Sequence, residues 1–88
     1  MQLIIAGDEG QAHVCAEIKG LERGEWKYVT SEEHLRGIDL RGKTVLLFGT
    51  YRRRYMLVWR EWARIIEQRG GRTEEVLDGR LTRDPRRG

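Results

Sequence analysis

Two short stretches of the chain are apolar without interruption, and each of them ends at a glycine. Leu3–Ala6 precedes Gly7, and Thr44–Phe48, which is apolar from Val45 onward, precedes Gly49. Continuous apolar runs of this length are typical of strands that are buried on both faces, as in a parallel sheet covered by helices on each side. The pattern therefore predicts two central strands.

Helical spacing of apolar residues follows each of these runs. The first helical segment extends from Gln11 to Lys19, where Gly20 is a stop signal, and the second extends from Arg52 to Arg69. One half of the circumference of the second helix is apolar, made of Tyr55, Met56, Val58, Trp59, Trp62, Ala63, Ile65 and Ile66. Because this arc is wider than a single contact with a sheet requires, we expect the helix to touch a neighbouring helix or a second copy of the chain.

Weaker patterns complete the set of elements. Trp26–Val29 has the alternation of a strand covered on one face, and Thr30 with Glu33 has the spacing of a capping box for a short helix that ends near Arg36. Arg72–Leu77 is compatible with a short edge strand kept soluble by its charges.

The alternation of strands and helices predicts an α/β fold. We expect a single small Rossmann-like domain over residues 1–78, with a four-stranded, mostly parallel sheet in the order 2-1-3-4 and three helices. Residues 79–88 are polar and basic, with too little apolar surface to order themselves, and are expected to form a flexible tail.

Charge is distributed unevenly over the 88 residues. Residues 1–40 carry 4 Lys/Arg and 8 Asp/Glu, a net charge of −4, whereas residues 41–88 carry 13 and 6, a net charge of +7. This division suits a basic surface for an anionic partner, or head-to-tail association between the two halves of different copies.

The composition argues against several classes of protein. One cysteine and two histidines exclude an internal disulfide and make a structural metal site unexpected. No apolar run approaches the roughly 20 residues of a membrane span, and the opening residues 1–5 lack the pattern of a secretory signal. We therefore expect no metal, no membrane and a cytoplasmic location.

A ligand of an open parallel sheet lies beyond the carboxyl ends of the strands, where the connections from the two central strands diverge. Glycine turns that open onto helices suit an anion there, because backbone N–H groups point outward. The predicted ligand-binding residues at this cleft are Gly7, Asp8, Gly10, Gly49, Thr50 and Arg52. Asp8 and Glu9 would repel a phosphate, and no known phosphate-binding motif occurs. The alternative is that the glycines only turn the backbone and the acidic pair caps the first helix.

The pattern of nucleophiles and bases gives no catalytic site. Cys15 lies on the apolar face of the first helix, and His13 points roughly the opposite way, so the two cannot pair within that helix. His34 stands alone beside Glu33. We predict no enzymatic activity, no catalytic residue and no cofactor.

Three successive arginines lie between two tyrosines at residues 51–55. Arginine binds phosphate and tyrosine stacks on bases, so this cluster and the basic tail form a candidate nucleic-acid surface. The arginines are alternatively paired with Asp8 and Glu9 across the cleft, with Tyr55 in the core. The predicted interaction residues are Tyr51, Arg53, Arg54, Met56 and Leu57.

The reduced Rossmann-like layout, the high arginine content and the segment Leu40–Thr50 resemble small accessory proteins of actinobacteriophages, of the mycobacteriophage type. The resemblance implies a non-enzymatic protein that binds a host cytoplasmic protein, and some members of this class inhibit bacterial growth when overproduced. It identifies no site residue. Our leading hypothesis is such a binding protein, with the second long helix as the contact or self-association element. Nucleic-acid binding, and capture of a nucleotide or other phosphate ligand at the glycine turns, are the alternatives.

Overall fold

A sheet of four parallel strands forms the centre of residues 1–77, the part of the chain that the computed structural model describes. The strands are β1 (Gln2–Ala6), β2 (Trp26–Tyr28), β3 (Thr44–Phe48) and β4 (Arg72–Glu75), and the helices are α1 (Glu9–Ile18), α2 (Tyr51–Tyr55) and α3 (Val58–Gln68). The strand order is β2-β1-β3-β4, and all three pairings are parallel. The predicted Rossmann-like α/β fold is therefore confirmed. The tail predicted for residues 79–88 lies outside the described residues.

Alternate side chains of the central strands enter two separate cores, one on each face of the sheet. One core contains Leu3 and Ile5 of β1 together with residues of α2 and α3, and the other contains Ile4 and Ala6 of β1 together with residues of α1. Ile4 lies beside Leu46 of β3 in the sheet, and both are buried. Burial on both faces explains why β1 is apolar from Leu3 to Ala6 and β3 from Val45 to Phe48.

Helix α1 begins directly after β1 because an aspartate caps it. The Asp8 carboxylate accepts a hydrogen bond from the Gln11 backbone N–H at 2.7 Å, and Glu9 occupies the first turn. A carboxylate at this end of a helix satisfies a free backbone donor and complements the helix dipole. Asp8 therefore caps the helix, as predicted for the acidic pair, and Glu9 is the first residue of the helix.

The short helix after β2 differs from its prediction. It is a single 3₁₀ turn over Glu32–Leu35 that begins after Ser31, and no side chain forms a capping hydrogen bond. The capping box of Thr30 with Glu33 is therefore wrong: the Thr30 backbone N–H donates instead to Nδ1 of His34 at 3.0 Å. The imidazole satisfies the donor that a capping side chain would have served.

The helix predicted from Arg52 to Arg69 is broken in two. Helix α2 ends at Tyr55, and α3 begins at Val58. At the break Met56 has φ 48° and ψ −117°, the only positive φ at a residue other than glycine in residues 1–77. The continuous helix is a wrong prediction, because a helix cannot pass through a residue with this backbone conformation.

Candidate functional site

The two glycine turns at the carboxyl ends of β1 and β3 are joined by one side chain, that of Gln11. Its Oε1 atom accepts the backbone N–H of Gly7 at 2.8 Å and the backbone N–H of Thr50 at 2.9 Å. Its Nε2 atom donates to the Thr50 hydroxyl at 3.1 Å. We call this arrangement the Gln11 clasp. It places a neutral oxygen where the sequence predicts an anion.

Close contact with the clasp explains both glycines. A Cβ on Gly7 would overlap the Thr50 hydroxyl and the Gln11 amide, and a Cβ on Gly49 would overlap the same amide. Gly49 also has φ +68°, a conformation that other residues adopt only with strain. Gly7 and Gly49 are therefore needed for the turns and for the close approach of Gln11.

The remaining residues of the predicted phosphate cleft have other contacts. Asp8 caps α1, and a Cβ on Gly10 would meet only the Asp8 carboxylate at 3.3 Å. Arg52 forms an ion pair with Glu75 of β4 at 3.2 Å. The structure thus brings Gly7, Gly49 and Thr50 together around Gln11, and it directs Arg52 toward the far edge of the sheet.

The role of Gln11 was not predicted from the sequence, because Thr50, its partner in the second turn, lies 39 residues away along the chain. A signal was nevertheless present. A carboxamide in the first turn of the helix after a glycine-ended strand carries both a donor and an acceptor, and it lies where a second glycine-ended strand must approach.

The side chains considered for catalysis lie in separate environments. Cys15 is buried in the core under α1, and burial raises the pKa of its thiol to about 11. His13 packs edge-on against Trp26 with ring centroids 4.8 Å apart, and His34 accepts the Thr30 N–H. None of the hydrogen bonds among residues 1–77 joins the thiol to an imidazole. The absence of enzymatic activity remains a prediction.

Arg52 belongs to a network that ties α2 to β4. The buried Tyr51 hydroxyl donates to the Glu75 carboxylate at 2.6 Å, and the Arg52 guanidinium donates to both groups. Burial, followed by the hydrogen bond to Glu75, raises the pKa of Tyr51. The predicted pairing of the arginines with Asp8 and Glu9 is not observed, since the acidic partner comes from β4. Tyr51, predicted as an interaction residue, is only 2% exposed and lies in the core.

The break between α2 and α3 leaves three apolar side chains in solvent. Met56 and Leu57 are each 71% exposed, and Val58 is 49% exposed. We call Met56–Val58 the α2–α3 corner. The apolar arc of the predicted helix is wider than one contact with the sheet requires, and part of it is exposed at this corner. Trp62 and Ile66 enter the core, whereas Met56 and Val58 lie in solvent.

Arginine and tryptophan side chains surround the corner. A shallow depression of about 520 Å³ is lined by Arg52, Arg53, Met56, Leu57, Trp59 and Arg60. The guanidinium carbons of Arg52 and Arg60 lie 5.4 and 5.7 Å from the centre of the Trp59 ring, within the range of cation–π attraction. Among residues 1–77 no carboxylate lines the depression. Glu75, the ion-pair partner of Arg52, is also bonded to Tyr51. The surface is apolar at its centre and positive around it.

The backbone of Met56 predicts that glycine is the better residue there. Its φ and ψ are close to those of the first central residue of a type II′ turn, a position that glycine normally occupies. Strain of this kind costs about 1–3 kcal/mol, so Met56→Gly is expected to raise the free energy of unfolding by about 1 kcal/mol. The matched control is Leu57→Gly, at φ −81°, which should lower it by about 0.5–1 kcal/mol. Urea denaturation measures both, and a destabilised Met56→Gly would contradict the strain.

A pair of tyrosine hydroxyls connects α2 to the edge strand β2. The hydroxyls of Tyr28 and Tyr55 share a hydrogen bond at 2.8 Å, and the Tyr28 hydroxyl also lies 3.4 Å from the Ala6 carbonyl. The Tyr55 ring is half-buried against Trp62, with centroids 4.8 Å apart. Burial raises the pKa of Tyr55 well above its usual range, and the hydrogen bond to Tyr28 adds to the shift.

Within residues 1–77, no group of three or more His, Cys, Asp or Glu side chains has the arrangement to hold a metal ion. No helix in that range is long and apolar enough to span a bilayer.

Comparison of the chain with protein-family models, with curated proteins and with solved structures gave no match. The sequence and the geometry described above therefore carry the functional argument.

Proposed function

We propose that this chain is a non-enzymatic binding protein that contacts another protein through the α2–α3 corner. The observation that carries the proposal is the conformation of Met56, which holds apolar side chains in solvent at a cost in backbone energy. A strained residue persists only where the surrounding fold holds it in place, and such residues cluster at functional sites. A purely structural corner would be expected to relax this strain with a glycine.

The composition of the corner supports a protein partner. Methionine, arginine and aromatic residues are enriched in the centres of protein interfaces, and lysine and glutamate are depleted. Around Met56 and Leu57 the depression is lined by three arginines and Trp59. The arginine side chains favour a partner that presents carboxylates around an apolar side chain. In line with the resemblance to actinobacteriophage accessory proteins, the proposed partner is a host cytoplasmic protein.

Nucleic-acid binding is the second candidate, and one observation favours it. Arg53 and Arg54 are exposed, and neither takes part in an ion pair among residues 1–77. Two observations speak for the protein partner instead. Tyr51 is buried and bonded to Glu75, and the Tyr55 hydroxyl is bonded to Tyr28. The Tyr51 ring is thus inaccessible to a base, and the Tyr55 ring is half-buried against Trp62.

The test places a charge at the corner. Leu57→Glu is expected to abolish capture of a defined host protein from an actinobacterial lysate and to remove any slowing of growth on induction, because a desolvated carboxylate opposes the apolar contact. Leu77→Glu is the matched control: it makes the same change at a leucine that is 63% exposed and does not line the depression, and it should behave like the wild type.

The control arms separate the two candidates. The lysate is treated with nuclease before capture, so that a protein held only through nucleic acid is lost from every sample. Equal capture by the wild type and by Leu57→Glu would overturn the proposal. Retention of DNA or RNA at low salt that Arg53→Ala and Arg54→Ala weaken, and Leu57→Glu does not, would establish the second candidate in its place.

A further inference from the structure

A second concave surface lies on the opposite side of the sheet from α3. Helix α1 and strand β2 enclose a hollow of about 360 Å³, whose floor is formed by Ala16, Leu21 and Trp26. Glu9 and Glu17 stand on the outer face of α1 at its rim, with His13 between them. Arg23 is the one basic residue among the lining residues other than this histidine. We call this surface the α1–β2 hollow.

The corner and the hollow are complementary in charge. At the corner Met56 and Leu57 are largely exposed and arginines surround them, whereas the hollow is lined by apolar side chains and by the carboxylates of Glu9 and Glu17. The surrounding sequence extends the contrast. Residues 8–25 carry five carboxylates and two basic side chains, and residues 51–60 carry four arginines and no carboxylate. Each surface thus presents what the other lacks.

The two surfaces cannot meet within one molecule. Helix α1 packs on the core that contains Ile4 and Phe48, and α3 packs on the core that contains Ile5 and Trp62, so the helices lie on opposite faces of the sheet. A contact between corner and hollow therefore requires two copies of the chain. It is heterologous, since one copy contributes the corner and the other the hollow.

We propose that this chain associates with itself head to tail, the α2–α3 corner of one copy entering the α1–β2 hollow of the next. Leu57 and Met56 lie against the apolar floor of the second copy, and Arg53 and Arg60 face the carboxylates of its Glu9 and Glu17. This inference rests on the proposed role of the corner as a contact surface and names a second copy as one of its occupants. A host protein and a second copy then compete for the same residues.

The association is expected to be weak and dependent on salt. One small corner in one small hollow buries less surface than the roughly 1,200 Å² of a stable interface. Attraction between exposed charges is screened as ionic strength rises. Oligomers should therefore appear as the protein concentration increases at low salt, and they should dissociate when salt is added.

Sedimentation of the full chain tests the proposal with two variants. Leu57→Glu disables the corner, and Glu9→Lys combined with Glu17→Lys disables the hollow. All three positions are exposed, and circular dichroism verifies that both variants fold. Each variant alone should sediment as a monomer, because neither has a complementary pair of surfaces. An equal mixture should form a dimer of about twice the monomer mass and nothing larger, since only one working corner and one working hollow remain.

The outcomes separate this proposal from the proposed function. A wild type that stays monomeric at high concentration and low salt, or a mixture of variants that stays monomeric, would overturn head-to-tail association. Undiminished association of the hollow variant alone would show contact between two corners and would overturn it as well. If the hollow variant still captures the host protein through Leu57 in any of these cases, the binding function stands and only the self-association is lost.

Discussion

Replacing Trp62 with alanine is expected to lower the free energy of unfolding by about 3–5 kcal/mol, the usual cost of truncating a buried tryptophan. The Trp62 side chain is 4% exposed and fills the core between α3 and the sheet, beside Ile66 and Tyr51. Its loss removes apolar burial and leaves a cavity under α3. A chain of this size has a total stability of about 5–10 kcal/mol, so a large part of the folded population should be lost.

Trp59→Ala is the matched control for this prediction. It removes the same side chain from the same helix at a half-buried position, where Trp59 contacts the Tyr51 ring and the arginines of the corner. Urea denaturation followed by circular dichroism measures both variants without depending on tryptophan fluorescence. The loss should be clearly larger for Trp62→Ala. Equal losses would mean that α3 does not pack through Trp62.

The second large effect is expected at Gly49. Alanine there must adopt a positive φ, at a cost of about 1–3 kcal/mol, and its Cβ displaces the Gln11 amide, which leaves the Gly7 and Thr50 N–H groups without their acceptor. Unsatisfied donors cost about 1–3 kcal/mol each when buried and less when water reaches them. We therefore expect Gly49→Ala to lower the free energy of unfolding by roughly 2–5 kcal/mol.

Two controls isolate the clasp. Gly20→Ala has the same backbone cost, since Gly20 has φ +69°, but its Cβ meets nothing within 4 Å. It should cost only the strain of about 1–3 kcal/mol. In the wild type, Gly49→Ala should lower the free energy of unfolding by more than Gly20→Ala does. In a Gln11→Ala background the two losses should be equal, because the amide that the new Cβ displaces is already gone. If Gly49→Ala still costs more than Gly20→Ala in the Gln11→Ala background, displacement of the Gln11 amide does not cause the larger loss of stability.

The fold was predictable because its strongest signals are local. The strands β1 and β3 are marked by unbroken apolar runs ending at glycine, and α1 by periodic spacing up to Gly20, so their order implied a parallel sheet. Burial on both faces dictates those runs, and a pattern of this kind is visible without knowing any distant contact. The confirmed strand order places these two apolar strands at the centre of the sheet.

The break at Met56 was not predictable from the same kind of signal. No glycine, proline or asparagine marks it, and the apolar spacing continues through Tyr55, Val58 and Trp59. Tertiary contacts override this spacing. In α2, Tyr51 is hydrogen-bonded to Glu75 and Tyr55 to Tyr28, while in α3 the Trp62 side chain packs in the core against the sheet. These separate anchors hold the two helical segments in orientations that one straight helix does not provide.

The contacts of the candidate site lay beyond sequence reasoning for a similar reason. The Gln11 clasp joins positions 39 residues apart, and Arg52 pairs with Glu75, 23 residues later. The partners predicted for Arg52 are Asp8 and Glu9, because they follow β1 at the edge of the sheet where β3 also ends. Because β4 lies beside β3, Glu75 is at the same end of the sheet as Tyr51. Its carboxylate accepts hydrogen bonds from the Tyr51 hydroxyl and the Arg52 guanidinium.

The paired hydroxyls of Tyr28 and Tyr55 have a consequence for motion. Strand β2 has three residues and forms the edge of the sheet beside β1, so it is a natural place for local opening. Its tyrosine is bonded to the last residue of α2, immediately before the corner. Fraying of that edge and reorientation of α2 therefore break the same hydrogen bond. A ligand that immobilises the corner should, through this bond, also slow hydrogen exchange along β2.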